Sequence, residues 1–257
     1  MLTLFLIGLG VAMVCFAAVW AVSVKMKNYG FLDVAWSYGV AVLAPLFAFE
    51  SPGPGWRKWL LAAIGMAWSL RLGTYILFRV LRHHPKEDAR YQTLRERWNG
   101  PAMFLAFFEL QALLVAIFAL PFLFASFDPS PAIHPLTIAG AVLAVISLFG
   151  EAIADLQMQR FKADRANEGK VCEAGLWRYS RHPNYFFESA IWWAFFLAAV
   201  PSPHGWTTIV CPLLMLYFLF QVTGIPLTEE YAIKSKGEVY RAYQRSTSAF
   251  VPWFRKS

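Results

Sequence analysis

The sequence predicts an all-α integral membrane protein of seven transmembrane helices, with its N-terminus outside and its C-terminus in the cytoplasm. Three observations predict it. The 257 residues are 58% hydrophobic and only 15% charged, where a soluble domain carries about 25% charged residues. Seven apolar runs, at 2–24, 31–49, 57–80, 103–126, 135–155, 185–201 and 207–227, approach or exceed the roughly 20 residues that a membrane helix needs. Of the 23 Lys and Arg, 20 fall on one side of those runs, Arg57 and Lys58 on the other, and Arg71 within a run. Basic loops stay cytoplasmic, and an odd number of spans puts the two ends on opposite faces, in agreement.

Each run has its own signature. The first lacks a basic start and a cleavage site and stays apolar to Lys25, so it reads as a membrane helix rather than a removable leader. The second opens on "FLDVAWSYG", which brings in Asp33, and ends at the turn "ESPGPG". The third contains "SLRLGTYILFR", where Arg71, Tyr75 and Arg79 share one helix face at four-residue spacing. The fourth begins near Glu109 and Gln111 and gives way to "FDPSPAIHP"; the fifth closes on Glu151 and Asp155. Pro183 suits a first-turn position, so the sixth helix starts near His182 and carries Asn184, Glu188 and Trp192 one turn apart. "VPSPHG" leads into the seventh. No Gly/Ser-rich or charged linker interrupts the chain, so residues 1–257 read as a single domain, with a polar C-terminal part from about 150 to 257.

A formal net charge of +7 in a chain of this class reflects basic cytoplasmic loops rather than a nucleic-acid surface. Cys15, Cys172 and Cys211 are too far apart for a disulfide framework or a zinc site, and no metal is expected. Ionisable residues at membrane depth are costly and therefore functional by default. Snorkelling accounts for Arg79 and Glu109, which lie near the interface. Arg71 lies deeper and needs a partner such as Asp33. The cluster of Asp155, Gln157, Arg160, Lys162, Arg165, Arg178, Arg181, His182, Asn184 and Tyr185 has a bland reading, a solvated face or contact with anionic lipid. Its mixture of arginines with Asn, Gln, Asp and Tyr also suits a ligand bearing phosphates, amides and hydroxyls. There is no G-x-G-x-x-G after a strand and no P-loop, so a dinucleotide would sit within the helical bundle itself. The tail "LTEEYAIKSKGEVYRAYQRSTSAFVPWF" places Tyr240 and Tyr243 on one helix side among Lys234, Lys236, Arg241 and Arg245. It either lies on anionic lipid or folds under the pocket and adds ligand contacts.

"GLWRYSRHPNYFFESAIWW", the preceding "ADLQMQRFKADRANEGKVCEAG", the tail and "DVAW" in the second run together resemble the bacterial, formerly uncharacterised branch of the steroid 5-alpha-reductase family over nearly the whole chain. That resemblance implies an NADPH-dependent membrane oxidoreductase of the bacterial inner membrane. It would reduce the C=C bond of an enone lipid such as a 3-oxo-4-ene steroid, with its cofactor site on the cytoplasmic side. It implies that Asn184 and Glu188 hold the nicotinamide end of the cofactor and that Asp155 contacts the cofactor. Lys162 falls where an arginine is usual for the phosphates, and Tyr75 matches the tyrosine that bonds the substrate ketone. The cluster and the tail supply the further cofactor candidates Gln157, Arg165, Arg178, Tyr179, Arg181, His182, Tyr185, Lys234, Tyr240 and Tyr243. Trp36, Arg71, Glu188 and Trp192 face the substrate. The family's Gln-Glu partner of that tyrosine is missing here, so Asp33, or failing it Glu50, stands in as the catalytic carboxyl.

Two rivals remain. "RHPNY", "EE" and "GEVYRAY" also resemble the isoprenylcysteine carboxyl methyltransferases, which use S-adenosylmethionine in a shorter bundle. A non-catalytic lipid-binding or sensor protein is the second. The expected partners are a hydrophobic small molecule and the bilayer, with no nucleic acid, and a monomer is the simplest reading of oligomeric state.

Overall fold

Apolar runs too long to end inside a bilayer become helices, because every backbone N–H and C=O must find its partner within the segment. A computed structural model describes residues 1–53, 55–98, 100–130 and 132–255, and among them all regular structure is helical. In chain order the helices are α1 (Leu2–Met26), α2 (Phe31–Glu50), α3 (Gly55–His83), α4 (Ala89–Arg97), α5 (Pro101–Phe118), α6 (Leu120–Ser126), α7 (Pro135–Ala163), α8 (Pro183–Ala199), α9 (Val210–Tyr217), α10 (Ile225–Lys236) and α11 (Glu238–Ser246). Among the described residues six segments are long and apolar enough to cross a membrane: α1, α2, α3, α5 with α6, α7, and Gly205–Lys236, which contains α9 and α10. This makes the chain a multi-pass membrane protein. The expected sixth run is α8, which has 17 residues and extends about 25 Å at helical rise.

The helices gather into two compact units, Met1–Pro135 with Ala198–Thr208, and Leu136–Leu197 with Ile209–Ser257. In the first, α2 is the central element. It packs against α1, α3, α5 and α6, and its Leu43, Ala44 and Phe47 are fully buried. Pro45 interrupts α2 because it has no N–H to donate to Ala41. One turn earlier the ladder opens further. Ser69 of α3 inserts its hydroxyl, accepting from the Ala41 N–H at 2.9 Å and donating to the Ser37 carbonyl. A side chain entering the ladder in this way bends a helix without leaving a polar group unsatisfied. Gly65 of α3 lets Phe122 lie against the helix, since a Cβ there would come within 2.5 Å of the ring.

At the other end of the first unit Arg57, read in the sequence as a loop charge, is buried. It is 2% exposed and its guanidinium is bound to Asp128, itself 3% exposed. The same guanidinium also donates to the Ala198 carbonyl at 3.4 Å.

In the second unit the last span is not continuous α-helix. It passes through a π-helical stretch at Phe218–Val222 and restarts at α10, whose first turn holds Pro226. Single π-turns are commonest near functional sites, and this one precedes the polar segment that carries Glu229.

Candidate functional site

The polar stretch ahead of α8 is shaped by α7 and by the tail. Gly175 takes φ +58°, a conformation that costs a side-chain-bearing residue about 1 kcal/mol or more, and a Cβ there would strike the Gln157 amide. The turn is fastened to α7 by two bonds. The Leu176 N–H donates to Gln157 Oε1 at 2.9 Å, and the Trp177 indole N–H donates to the Ala154 carbonyl at 2.9 Å.

From the other side the tail closes on the same stretch around one carboxylate. Glu229 Oε1 accepts from Arg181 Nε at 2.6 Å, lies 3.2 Å from His182 Nε2, and accepts from the Tyr240 hydroxyl at 3.5 Å. Its other oxygen accepts from Gln244 Nε2 at 2.8 Å. Arg181 Nη1 also donates to the carbonyls of Gln244 and Thr247, at 3.0 and 2.6 Å. The Tyr243 hydroxyl donates to the carbonyls of Trp177 and Ser180. Burial pushes both phenols, Tyr240 and Tyr243, well up from the ordinary tyrosine range, so they act as neutral donors. Ser180 Oγ bonds the Phe250 carbonyl at 2.8 Å, and the Trp253 N–H bonds the Tyr179 carbonyl at 2.9 Å. The tail therefore folds against the polar stretch through its inner face.

Inside this clamp α8 begins at Pro183. His182 stacks on Tyr185, with ring centroids 5.3 Å apart and planes 4° apart, and the Tyr185 hydroxyl meets Thr228 at 3.1 Å. Asn184 Oδ1 is a buried acceptor with no hydrogen-bond donor among the described residues. A buried oxygen left this way costs about 1–3 kcal/mol, so it marks a place where a donor from outside the chain would be welcome. Glu188 follows one turn on. In α7, Glu151 and Asp155 are buried one turn apart.

The expected cofactor residues thus divide. Arg181, His182, Tyr240 and Tyr243 come together, but in bonds that hold the tail, and Gln157 holds the turn. Lys162, Arg165, Arg178 and Tyr179 are exposed, and Lys234 pairs with Glu230 on the surface. Trp192 is completely buried in α8. The sequence reading passed over Glu229 as a hub. Its only local signal is an acidic pair in an otherwise basic tail.

In the first unit Asp33 serves the loop that follows α3. Its Oδ2 accepts from Arg90 Nη2 at 2.7 Å, with Arg79 Nη2 at 3.9 Å, and its Oδ1 accepts from the Tyr91 hydroxyl at 2.7 Å. The Asp33 charge holds the Arg90 guanidinium well above its ordinary range. Nearby, Glu87 accepts from the Tyr29 N–H at 2.6 Å and from Arg95 at 2.9 and 3.1 Å, and the Arg95 guanidinium sits 4.6 Å from the Tyr29 ring centroid. Two carboxylates thus pin α4 to the ends of α1 and α2. Asp33→Asn keeps the shape but removes the charge. It is expected to cost about 1–3 kcal/mol and to make trypsin cleave faster at Lys86, Arg90 and Arg95; unchanged cleavage would show that Asp33 does not secure the loop. Trp36 packs edge-on to Phe118 at 5.6 Å, while Arg71 and Tyr75 lie half-buried in α3. Glu50 is exposed at the far end of α2, about 25 Å along the helix from Asp33.

Comparison with known proteins gives two matches. The model of a family described as a protein of unknown function (DUF1295) matches residues 19–247. A protein of Schizosaccharomyces pombe described as uncharacterised is 28% identical over 278 aligned positions, covering 96% of this chain and 79% of that protein. No solved structure matches.

Proposed function

The chain belongs to the DUF1295 family of proteins of unknown function, and from that premise we propose that it is an NADPH-dependent membrane reductase acting on the C=C bond of an enone lipid such as a 3-oxo-4-ene steroid. In this reading α8 completes seven spans, with the N-terminus outside and the clamped polar stretch at the cytoplasmic face. Specific membership of the steroid 5-alpha-reductase family is part of the proposal. It rests on the "GLWRYSRHPNYFFES" stretch and the tail.

The observation that carries the reading is the buried, partnerless Asn184 Oδ1 in the first turn of α8. A nicotinamide carboxamide brings an N–H donor of the kind this oxygen lacks, so the residues present fit the group. Bound there, NADPH would supply the hydride that adds to the β-carbon of the enone, and the α-carbon would take its proton from water. The chain's own contribution is binding and polarisation. Asn184 and Glu188 hold the carboxamide. The free N–H groups at the start of α8 favour an anion nearby. The resemblance assigns to Tyr75 the donation to the ketone oxygen, where negative charge develops. Asp33 is held by two guanidinium groups and a phenol, contacts that anchor α4. The experiment is NADPH oxidation by the detergent-purified chain with a 3-oxo-4-ene steroid. Wild type is expected to turn over, and Asn184→Ala to raise the NADPH KM roughly tenfold, as loss of one buried hydrogen bond implies. Turnover with KM unchanged in Asn184→Ala would remove Asn184 from the seat.

A further inference from the structure

Away from the clamp, α7 and α8 form a second feature that the proposed reaction does not use. We propose that the groove between them binds an anionic phospholipid, with an acyl chain in the trough and the phosphate at Arg160. The groove holds about 530 Å³, within the range of about 300–1,000 Å³ typical of ligand clefts. Ile146, Phe149, Ile153 and Phe187 line it. Its depth comes from Gly150, where a Cβ would come within 2.4 Å of the Phe187 ring, so the ring lies flat against the α7 backbone. The α7 walls remain open, with Phe149 62% exposed and Ile146 56% exposed, on a helix long and apolar enough to cross a membrane.

One end of the trough is polar. Gln157 lines it and spends its carbonyl oxygen on the Leu176 N–H, which leaves its amide N–H2 as a donor. Positions 146, 149, 153, 157 and 160 follow one another by three or four residues, so they form a single helix stripe. Arg160 is exposed and has no acidic partner among the described residues. An apolar trough ending in an amide donor and an unpaired guanidinium matches an acyl chain joined to a phosphate, for which arginine is the preferred partner. A neutral sterol would leave that positive charge uncompensated, and a zwitterionic lipid would bring its own cation beside it. The inference does not depend on the reductase reading.

The test is native mass spectrometry and thermal unfolding of the full chain, delipidated and then titrated separately with phosphatidylglycerol, phosphatidylcholine and soluble glycerol 3-phosphate. Phosphatidylglycerol is expected to be retained at one per chain and to raise the melting temperature with concentration, while the other two do neither. Arg160→Gln, a surface change that leaves the core untouched, is expected to weaken phosphatidylglycerol binding at least about tenfold. Ile146→Trp with Ile153→Trp fills the trough and is expected to abolish it. Equal retention of phosphatidylcholine, equal stabilisation by glycerol 3-phosphate, or wild-type affinity in Arg160→Gln would each overturn the assignment.

Discussion

Glu229→Ala is expected to lower the melting temperature of the purified chain by roughly 5–15 °C and to free the tail for proteolysis. Four side chains converge on this carboxylate; His182 and Tyr240 are buried, and Arg181 is only 11% exposed. Removing the acceptor strands a guanidinium that has little water to turn to. Losing one partner of a buried pair costs about 3–5 kcal/mol, and a chain of this length moves by about 2–4 °C for each kcal/mol. Arg181 would keep its bonds to the Gln244 and Thr247 carbonyls, so the loss should fall short of complete unfolding. Glu229→Gln retains an acceptor oxygen and should fall between Ala and wild type. Thermal unfolding with limited trypsin digestion at Arg241 and Arg245 reads both effects. A melting temperature within a degree of wild type, with the tail still protected, would refute the role of Glu229 as the clamp.

A loss of similar size is expected in the first unit from Asp128→Ala, which leaves the Arg57 guanidinium buried and without its counter-charge. The remaining bond, to the Ala198 carbonyl at 3.4 Å, is long and cannot neutralise it. The expected cost is again about 3–5 kcal/mol. The reverse experiment is more telling. Arg57→Met combined with Asp128→Leu removes both charges while keeping volume, and such replacements are often neutral or stabilising. The double variant should therefore recover most of the stability lost in Asp128→Ala. If it melts no higher than the single variant, the pair matters for more than mutual compensation of charge.

These two ion pairs show where sequence reading ends. The apolar runs and the Pro- and Gly-rich breaks between them foretold the helices, because in a membrane chain hydropathy, helix length and backbone satisfaction all impose the same boundaries. Pro183 likewise marked the start of α8. What the pattern could not reveal were pairings across long separations. Arg57 sits in a span start that reads like an interfacial loop, yet Asp128 reaches it from 71 residues away. Asp33 invited pairing with Arg71, the nearest unexplained intramembrane charge in the sequence, whereas in the fold it meets Arg90, Tyr91 and Arg79. The Ser69 insertion into α2 has no signature beyond an ordinary serine. Tyr240 and Tyr243 were recognisable as a matched pair on one helix face. That their hydroxyls fasten the tail, while Asn184 keeps an open acceptor, depends on the folded arrangement around Glu229.

The central claim is that the clamped start of α8 is a nicotinamide seat. The most direct measurement is thermal unfolding of the detergent-purified chain titrated separately with NADPH, NADH and S-adenosylmethionine, for wild type, Asn184→Ala and Glu188→Ala. The account predicts concentration-dependent stabilisation of wild type by NADPH, none by S-adenosylmethionine, and little or none in either variant. Stabilisation by S-adenosylmethionine alone would contradict it and point to a methyltransferase. Silence from all three would contradict it as well and favour a lipid-binding protein without a cofactor.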